Sequence, residues 1–409
     1  MSIFELTRAD YKTKSQMSQQ IEILKSESSQ KTVRAIGFRS MGVNKPVMER
    51  IAKTVLNLDN KAFQEKQLGD GIVLNCGDLC VYSCSFCYAS EISRKLVHEL
   101  LKAFNKQNNA KLGLQDVVVR RANAADLAKT QIVRHGISQF NDPCDNRVVF
   151  SSSLVDVAAN MQLLRETAEL VNLILDETFW QIRLLTKSNL LHLLIKNGMV
   201  PNKKKVGSRF THHERIIFGF STGTLDDRLA KSFEEGTALV SKRLAALHWL
   251  QDRGFRTFGM ICPSLPQQNY DAFSKTMSQA LRVEKLEHVW AEVINVRGPS
   301  FQRTEKALVT GGFQTEANLL KSVSDGSKQA QQHWESYARA TFEAHKMNIP
   351  PEKLRFLQYI NEESSNYWVP ERIHGAVLLG SVAKALGVCT LGVKSSPVRY
   401  YASPRPQQT

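Results

Sequence analysis

The sequence has no uninterrupted apolar run of the length a bilayer requires. Its most apolar late stretch, Gly375–Val393, is broken by Lys384 and four glycines, and reads as a buried helix and turn. Met1–Gln20 are polar and charged without an apolar core, so no signal peptide is expected. Internal repeats and low-complexity tracts are missing too. Acidic residues are in short supply: 39 Asp+Glu face 54 Lys+Arg, a net charge of +15. That excess predicts an anionic partner, and nucleic acid is the default candidate. The cysteines lack the pattern of a disulfide framework. There are seven, an odd number, and Cys76, Cys80, Cys84 and Cys87 fall within twelve residues. This suits a reduced compartment, the cytoplasm, and a metal or cluster site. With 42% hydrophobic and 23% charged residues, the chain is neither wholly disordered nor collagenous.

Residues 1–65 read as a helical, mixed-charge extension, with helix-like apolar spacing at Val47–Leu58. From residue 70 short β-branched runs alternate with amphipathic stretches, the mark of a parallel α/β sheet. Strands are expected at Ile72–Asn75, Val148–Ser152, Gln181–Thr186, Arg215–Ser221, Thr257–Cys262 and Val289–Val296. Helices are expected at about Ser90–Asn105, Asp156–Leu175, Asn189–Lys196, Val240–Arg253 and Tyr270–Val283. Pro263 and the pair Gly298-Pro299 close the last two strands. Six such units make either a partial (β/α) barrel or an open doubly wound sheet. Both place chemistry beyond the carboxyl ends of the strands. Residues 301–409 read as mostly helical, including Lys328–Met347, with one possible extra strand at Leu354–Tyr359 and a basic tail.

The most informative stretch is Cys80-Val-Tyr-Ser-Cys84-Ser-Phe-Cys87-Tyr88. Three thiolates at this spacing can hold three irons of one cubane and leave the fourth open. A zinc knuckle of Cys76, Cys80, Cys84 and Cys87 is the bland alternative. It would need a second Cys pair or histidines at ligand spacing, and neither is present.

This loop resembles the signature of the radical S-adenosylmethionine (SAM) superfamily, Cys-x3-Cys-x-aromatic-Cys, with Phe86 in the aromatic slot. The stretch 70–300 looks closest to the spore photoproduct lyase-like, DNA-repair-photolyase-like branch. Tyr88 follows the third cysteine as in that branch. Thr186-Lys187-Ser188, Phe220-Ser221-Thr222-Gly223-Thr224 and Met260-Ile261-Cys262-Pro263-Ser264 resemble its strand endings. The resemblance implies a partial (β/α)6 barrel of the TIM type over 66–300. It implies a 4Fe–4S cluster on Cys80, Cys84 and Cys87, with SAM chelated at the open iron. An electron from the cluster would cleave SAM to a 5'-deoxyadenosyl radical, which abstracts hydrogen from a substrate. By the same resemblance Lys187 holds the SAM carboxylate, Ser221 contacts its ribose or methionine part, and Ser152 lies at the matching end of its strand. Cys262 and Cys144 are the candidate hydrogen donors, and Tyr88 a candidate relay. An electron donor such as flavodoxin or ferredoxin is implied.

Three stretches carry the basic excess. Lys25–Lys53 holds seven Lys/Arg against two Glu, and Lys111–Arg134 five against two Asp. Lys196–Arg215 contains Lys203-Lys204-Lys205 and a single acid, Glu214, and reads as an inserted loop. Such stretches supply salt-dependent nucleic-acid affinity, and DNA is favoured over RNA. The expected activity is therefore a lyase or base-modifying enzyme acting on nucleic acid. Two alternatives stand beside it: a radical SAM enzyme acting on a peptide or small molecule, and a non-enzymatic Fe–S or zinc protein that binds nucleic acid.

Overall fold

The computed structural model describes residues 33–36, 45, 47–50, 52–82, 84–134, 142–295, 299–324 and 328–389. The strands in chain order are β1 (Val33–Ile36), β2 (Val47–Arg50), β3 (Leu56–Asn57), β4 (Ile72–Leu74), β5 (Gly77–Leu79), β6 (Val118–Arg121), β7 (Val148–Ser151), β8 (Gln181–Thr186), β9 (Ile216–Ser221), β10 (Thr257–Ser264), β11 (Val289–Val293), β12 (Leu354–Tyr359) and β13 (Ala376–Leu379). The main sheet runs β13-β12-β11-β10-β9-β8-β7-β4-β3. Every pairing in it is parallel except that of β3 with β4 at one edge. The expected α/β architecture is thus present, and β12 and β13 carry the parallel order beyond the six expected strands.

Helices cover the outer face. Met161–Glu177 buries Leu163, Leu164, Leu170, Val171, Ile174 and Leu175 at helical spacing, and the side chain of Asn160 caps its first turn. The inner face carries a separate apolar cluster that includes Phe150, Ile217, Phe258, Trp290, Leu357 and Val377. A short helix, Lys61–Glu65, and the loop after it fill the concavity. Phe63 stacks on Phe150 of β7 with ring centroids 5.2 Å apart. The guanidinium of Arg183 in β8 donates to the carbonyl of Leu68 at 2.6 Å. Trp290 Nε1 in β11 donates to the carbonyl of Lys66 at 2.9 Å, and Lys66 Nζ lies 5.9 Å from the ring centre of Tyr359 in β12. Lys384, beyond β13, pairs with Glu65 at 2.9 Å. One helical turn reaches both ends of the sheet, so the sheet curls round it. Among the described residues it does not close: β13 and β3 are its two edges.

Several expectations are corrected. The stretch 47–58 is not helical. Its described residues form β2 and β3, and β2 joins β1, β6 and β5 in a second sheet. Pairing of Val47–Arg50 with β1 on one side and β6 on the other outweighs the helix-like spacing across the longer window. Val33–Ile36 of the expected N-terminal helical extension are also a strand, β1, while Lys61–Glu65 are helical; residues 1–32, most of Lys25–Lys53 and the tail Ser395–Thr409 lie outside the described residues. Pro263 does not end its strand, because β10 runs on to Ser264 across a register shift between Ile261 and Ser264. Gly375–Val393 begins with β13, followed by a five-residue helix, Ser381–Ala385.

Candidate active site

The cysteine loop is reached through β5 of the small sheet rather than directly from β4. Asp78 in β5 is fully buried between Arg50 and Arg121, with ion pairs of 2.8 and 2.7 Å. Its carbonyl accepts from the Ser93 hydroxyl of the helix that follows the loop. Both flanks of the loop are therefore fixed on one buried carboxylate residue.

Within the loop, backbone amides point at sulfur. The amides of Tyr82 and Asp156 donate to Cys80 Sγ at 3.5 and 3.4 Å, and that of Ala89 to Cys87 Sγ at 3.4 Å. Cys80 and Cys87 line one small recess with Tyr82. Lost solvation pushes the Cys80 thiol up to about 12 and the Cys84 thiol well above its ordinary value. The charges of Asp156 at Cys80 and of Glu234 at Cys84 add to this. Arg303, Lys187 and Lys45 oppose it at Cys87. Such thiols ionise when a metal takes the proton's place. Among the described residues no three His, Cys, Asp or Glu side chains converge on a single-ion site. The three ligands of a cubane each hold a different iron and stand further apart than ligands of one ion. Three soft donors on one loop, amide hydrogen bonds to sulfur and nearby cations fit a 4Fe–4S cluster.

A second layer ties the loop to the strand ends. Asp156 accepts from the amides of Ala158 and Lys187 and from the Thr186 hydroxyl, at 2.8, 2.7 and 2.7 Å. Burial still raises its carboxyl above the ordinary range. On the other side Arg303, from helix Pro299–Thr310, donates to the carbonyls of Ser85 and Cys87 at 3.1 and 3.2 Å. The Ser85 hydroxyl meets Thr304 Oγ1 at 2.9 Å.

Lys187, at the end of β8, donates to Glu234 at 2.6 Å and to the Cys262 carbonyl at 2.9 Å. Glu234 is 1% exposed and also pairs with Arg243 at 2.7 Å. Burial alone would raise its carboxyl. Lys187 and Arg243 outweigh that and hold it below the ordinary carboxylate value. Arg243 further donates to the Ser221 carbonyl at 2.9 Å, and the Ser221 hydroxyl to the Cys262 carbonyl at 3.2 Å. Phe86 lies under Lys187, with Nζ 5.3 Å from its ring centre, and edges onto Phe233. The structure thus brings Phe86, Lys187, Ser221 and Cys262 to one place. Ser152 stands nearby in a left-handed conformation, φ 98°, costly for a residue with a Cβ. The next carbonyl, that of Ser153, accepts from Tyr88 Oη at 3.3 Å.

Cys262 Sγ faces Glu292 at 3.9 Å. Burial, reinforced by that carboxylate, pushes the Cys262 thiol up to about 12, so it is S–H at neutral pH. Cys144 is placed elsewhere. It is exposed in the turn that enters the amino end of β7, across the sheet from the cysteine loop. The Lys196–Arg215 insertion enters β9 from that same far edge. Lys203 pairs there with Asp176 at 2.7 Å and Lys205 donates to the Asp176 carbonyl at 2.6 Å. Arg215 is buried against the carbonyls of Leu175, Thr178 and Trp180. Much of the charge in this loop caps the helix Met161–Glu177.

Sequence reasoning missed Asp156, Glu234, Glu292 and Arg303. Glu292 had a signal, as the one acid inside the buried run Val289–Val293. Gly223 is also required by geometry: a Cβ there would lie 1.9 Å from the Pro263 carbonyl oxygen. Gly223→Ala is expected to cost about 1–3 kcal/mol by forcing β9 and β10 apart. Thermal unfolding of the two proteins measures this, and an unchanged Tm would contradict the close approach.

No family profile and no curated protein sequence matches the chain. Solved spore photoproduct lyases are among its structural neighbours. A spore photoproduct lyase complexed with dinucleoside spore photoproduct is 14% identical, with 64% of this chain and 66% of that one covered and a TM-score of 0.42. A variant of the lyase with bound AdoMet and dinucleoside spore photoproduct is 17% identical, with coverages of 58% and 60% and a TM-score of 0.40. The chain spans 60 to 66% of the length of these lyases.

Proposed function

We propose that the chain is a radical SAM enzyme acting on nucleic acid, as a repair-type lyase or a base-modifying enzyme. The observation that carries this reading is the Cys80, Cys84, Phe86, Cys87 loop held against Lys187 and Cys262 at the carboxyl ends of parallel strands. Cys80, Cys84 and Cys87 would hold a 4Fe–4S cluster. When bound there, the cluster would supply the electron that splits the sulfonium of SAM and yields a 5'-deoxyadenosyl radical.

The residues of the chain divide the remaining work. An ammonium has three N–H bonds. Glu234 and the Cys262 carbonyl take two of those on Lys187, which leaves one for the SAM carboxylate. Ser221 would stand beside that position, since its hydroxyl shares the Cys262 carbonyl with Lys187. Cys262 is a better hydrogen donor than Cys144, because it shares the strand ends with the loop and carries its hydrogen at neutral pH. Its S–H bond would break as a C–H bond forms on a substrate radical. Tyr88 lies close enough to interact with Cys262 electrostatically. The charge of +15 supports an anionic substrate.

Anaerobic reconstitution, reduction and incubation with SAM tests the reading. Release of 5'-deoxyadenosine is expected. Lys187→Met is expected to raise KM for SAM about tenfold, since a charge-assisted hydrogen bond is lost. Absence of 5'-deoxyadenosine from a fully loaded protein would overturn the enzyme assignment. Affinity for DNA and RNA is expected to fall steeply with salt, and a flat response would remove the nucleic-acid substrate.

A further inference from the structure

A second constellation lies beside the Cys262 side chain, whose carbonyl is held by Lys187 and Ser221. Glu292 in β11 and Lys66 after helix Lys61–Glu65 face each other with Nζ and Oε1 3.8 Å apart. The other Glu292 oxygen meets Cys262 Sγ at 3.9 Å. The Cys262 thiol donates a long, weak hydrogen bond there, and the ion pair itself is beyond hydrogen-bond distance. An ionised carboxylate can accept about four hydrogen bonds and an ammonium donate three. Both side chains are largely buried, at 24% and 18% exposure, where unmet hydrogen-bonding capacity is costly. Glu292 raises the Lys66 ammonium above its ordinary value.

A tyrosine ring stands beside the ammonium of the pair, and a second tyrosine interacts with it at longer range. Tyr359, at the end of β12, has its ring 5.9 Å from Lys66 Nζ. Tyr88 lies within electrostatic reach of Lys66, Glu292 and Cys262. Both rings are exposed, 45% and 47%, although they sit over a well-packed sheet. Exposed aromatic faces beside a donor and an acceptor are what a flat heteroaromatic ring requires. The rings stack, the ammonium meets a ring carbonyl or ring nitrogen, and the carboxylate meets an N–H.

We infer that Lys66 and Glu292, beside Tyr359, form a recognition site for the hydrogen-bonding edge of one nucleobase, which they hold against Cys262. This rests on the nucleic-acid reading above and adds the residues that read the base. A phosphate is the wrong ligand for the site, because Glu292 would repel it.

Equilibrium binding by the full-length, cluster-loaded protein tests the inference. Two fluorescent single-stranded oligonucleotides of equal length are compared, one carrying bases and one with abasic residues at its centre. The wild-type chain is expected to bind the base-containing strand about tenfold or more tightly than the abasic one. Glu292→Gln, which preserves shape, and Lys66→Met should each remove most of that difference and leave abasic binding unchanged. Circular dichroism and thermal unfolding confirm that the variants are folded. Equal wild-type affinity for the two strands overturns the inference, as does a difference that survives both substitutions. Failure of the wild-type chain to bind either strand overturns the nucleic-acid reading itself and this site with it.

Discussion

Cys84→Ala is expected to yield a folded chain whose iron and sulfide fall to background after reconstitution, with no 5'-deoxyadenosine formed. The loss should exceed the ~10–100-fold that removal of a supporting hydrogen bond costs a metal site. Cys84 is buried, and its loop is anchored independently by Asp78, Asp156 and Arg303. Removal of one sulfur therefore takes away a ligand without unravelling the site. Cys76→Ala is the matched control. Cys76 is buried in the core cluster, so its loss should cost packing alone and leave iron content intact. Iron and acid-labile sulfide assays with electron paramagnetic resonance of the reduced protein give the readout. Unchanged iron in Cys84→Ala, or equal loss in both variants, would exclude the three-cysteine ligand set.

Glu234→Gln is expected to destabilise the fold by about 3–5 kcal/mol at neutral pH. The substitution leaves Lys187 and Arg243 beside each other in a dry site without their counterion. The effect should depend on pH with a definite sign. The fold holds the Glu234 carboxyl below its ordinary value, so the folded state binds its proton less readily than the unfolded chain does. The stabilisation is fully present above the unfolded value of about 4.3 and is lost as pH falls through the folded value. Denaturant unfolding of both proteins from neutral to acid pH should show their difference shrinking on the acid side. A gap that stays constant with pH would mean that the Glu234 charge is not what stabilises the site.

The strands that can be read from the sequence are those with a simple burial rule. β8, Gln181–Thr186, is bounded as expected, and β9 and β10 start within a residue of expectation. Both faces of these strands are covered, so β-branched and aromatic residues run together between polar ends. The second sheet hides because its strands have three or four residues and carry charge: Arg50, Asp78, Arg120 and Arg121. No sequence pattern announces that Asp78 will neutralise two of those arginines from another strand. The cysteine loop is legible because the cluster proposed for it would demand a fixed spacing along one short segment. Glu234, Arg303, Lys66 and Glu292 act across distances that only the fold sets. Lys66 arrives from a turn inside the barrel mouth, 226 positions before its partner Glu292. The basic insertion was legible as an insertion, but the Asp176 contacts of Lys203 and Lys205 depend on where a distant helix ends.

The open seam between β13 and β3 has a consequence for access. A ring of strands closed by hydrogen bonds can be entered only along its axis, so a long polymer would have to present an end or a sharp loop. A ring split along one side is a slot. A continuous strand can be laid into it sideways, with one unit turned inward and the rest trailing out on both sides. The plug Lys61–Glu65 fills the concavity beside that slot, tied to the β13 side by the pair of buried Glu65 with exposed Lys384. The same short helix carries Lys66 at its end. Whatever enters by the side passes over the residue that would read it.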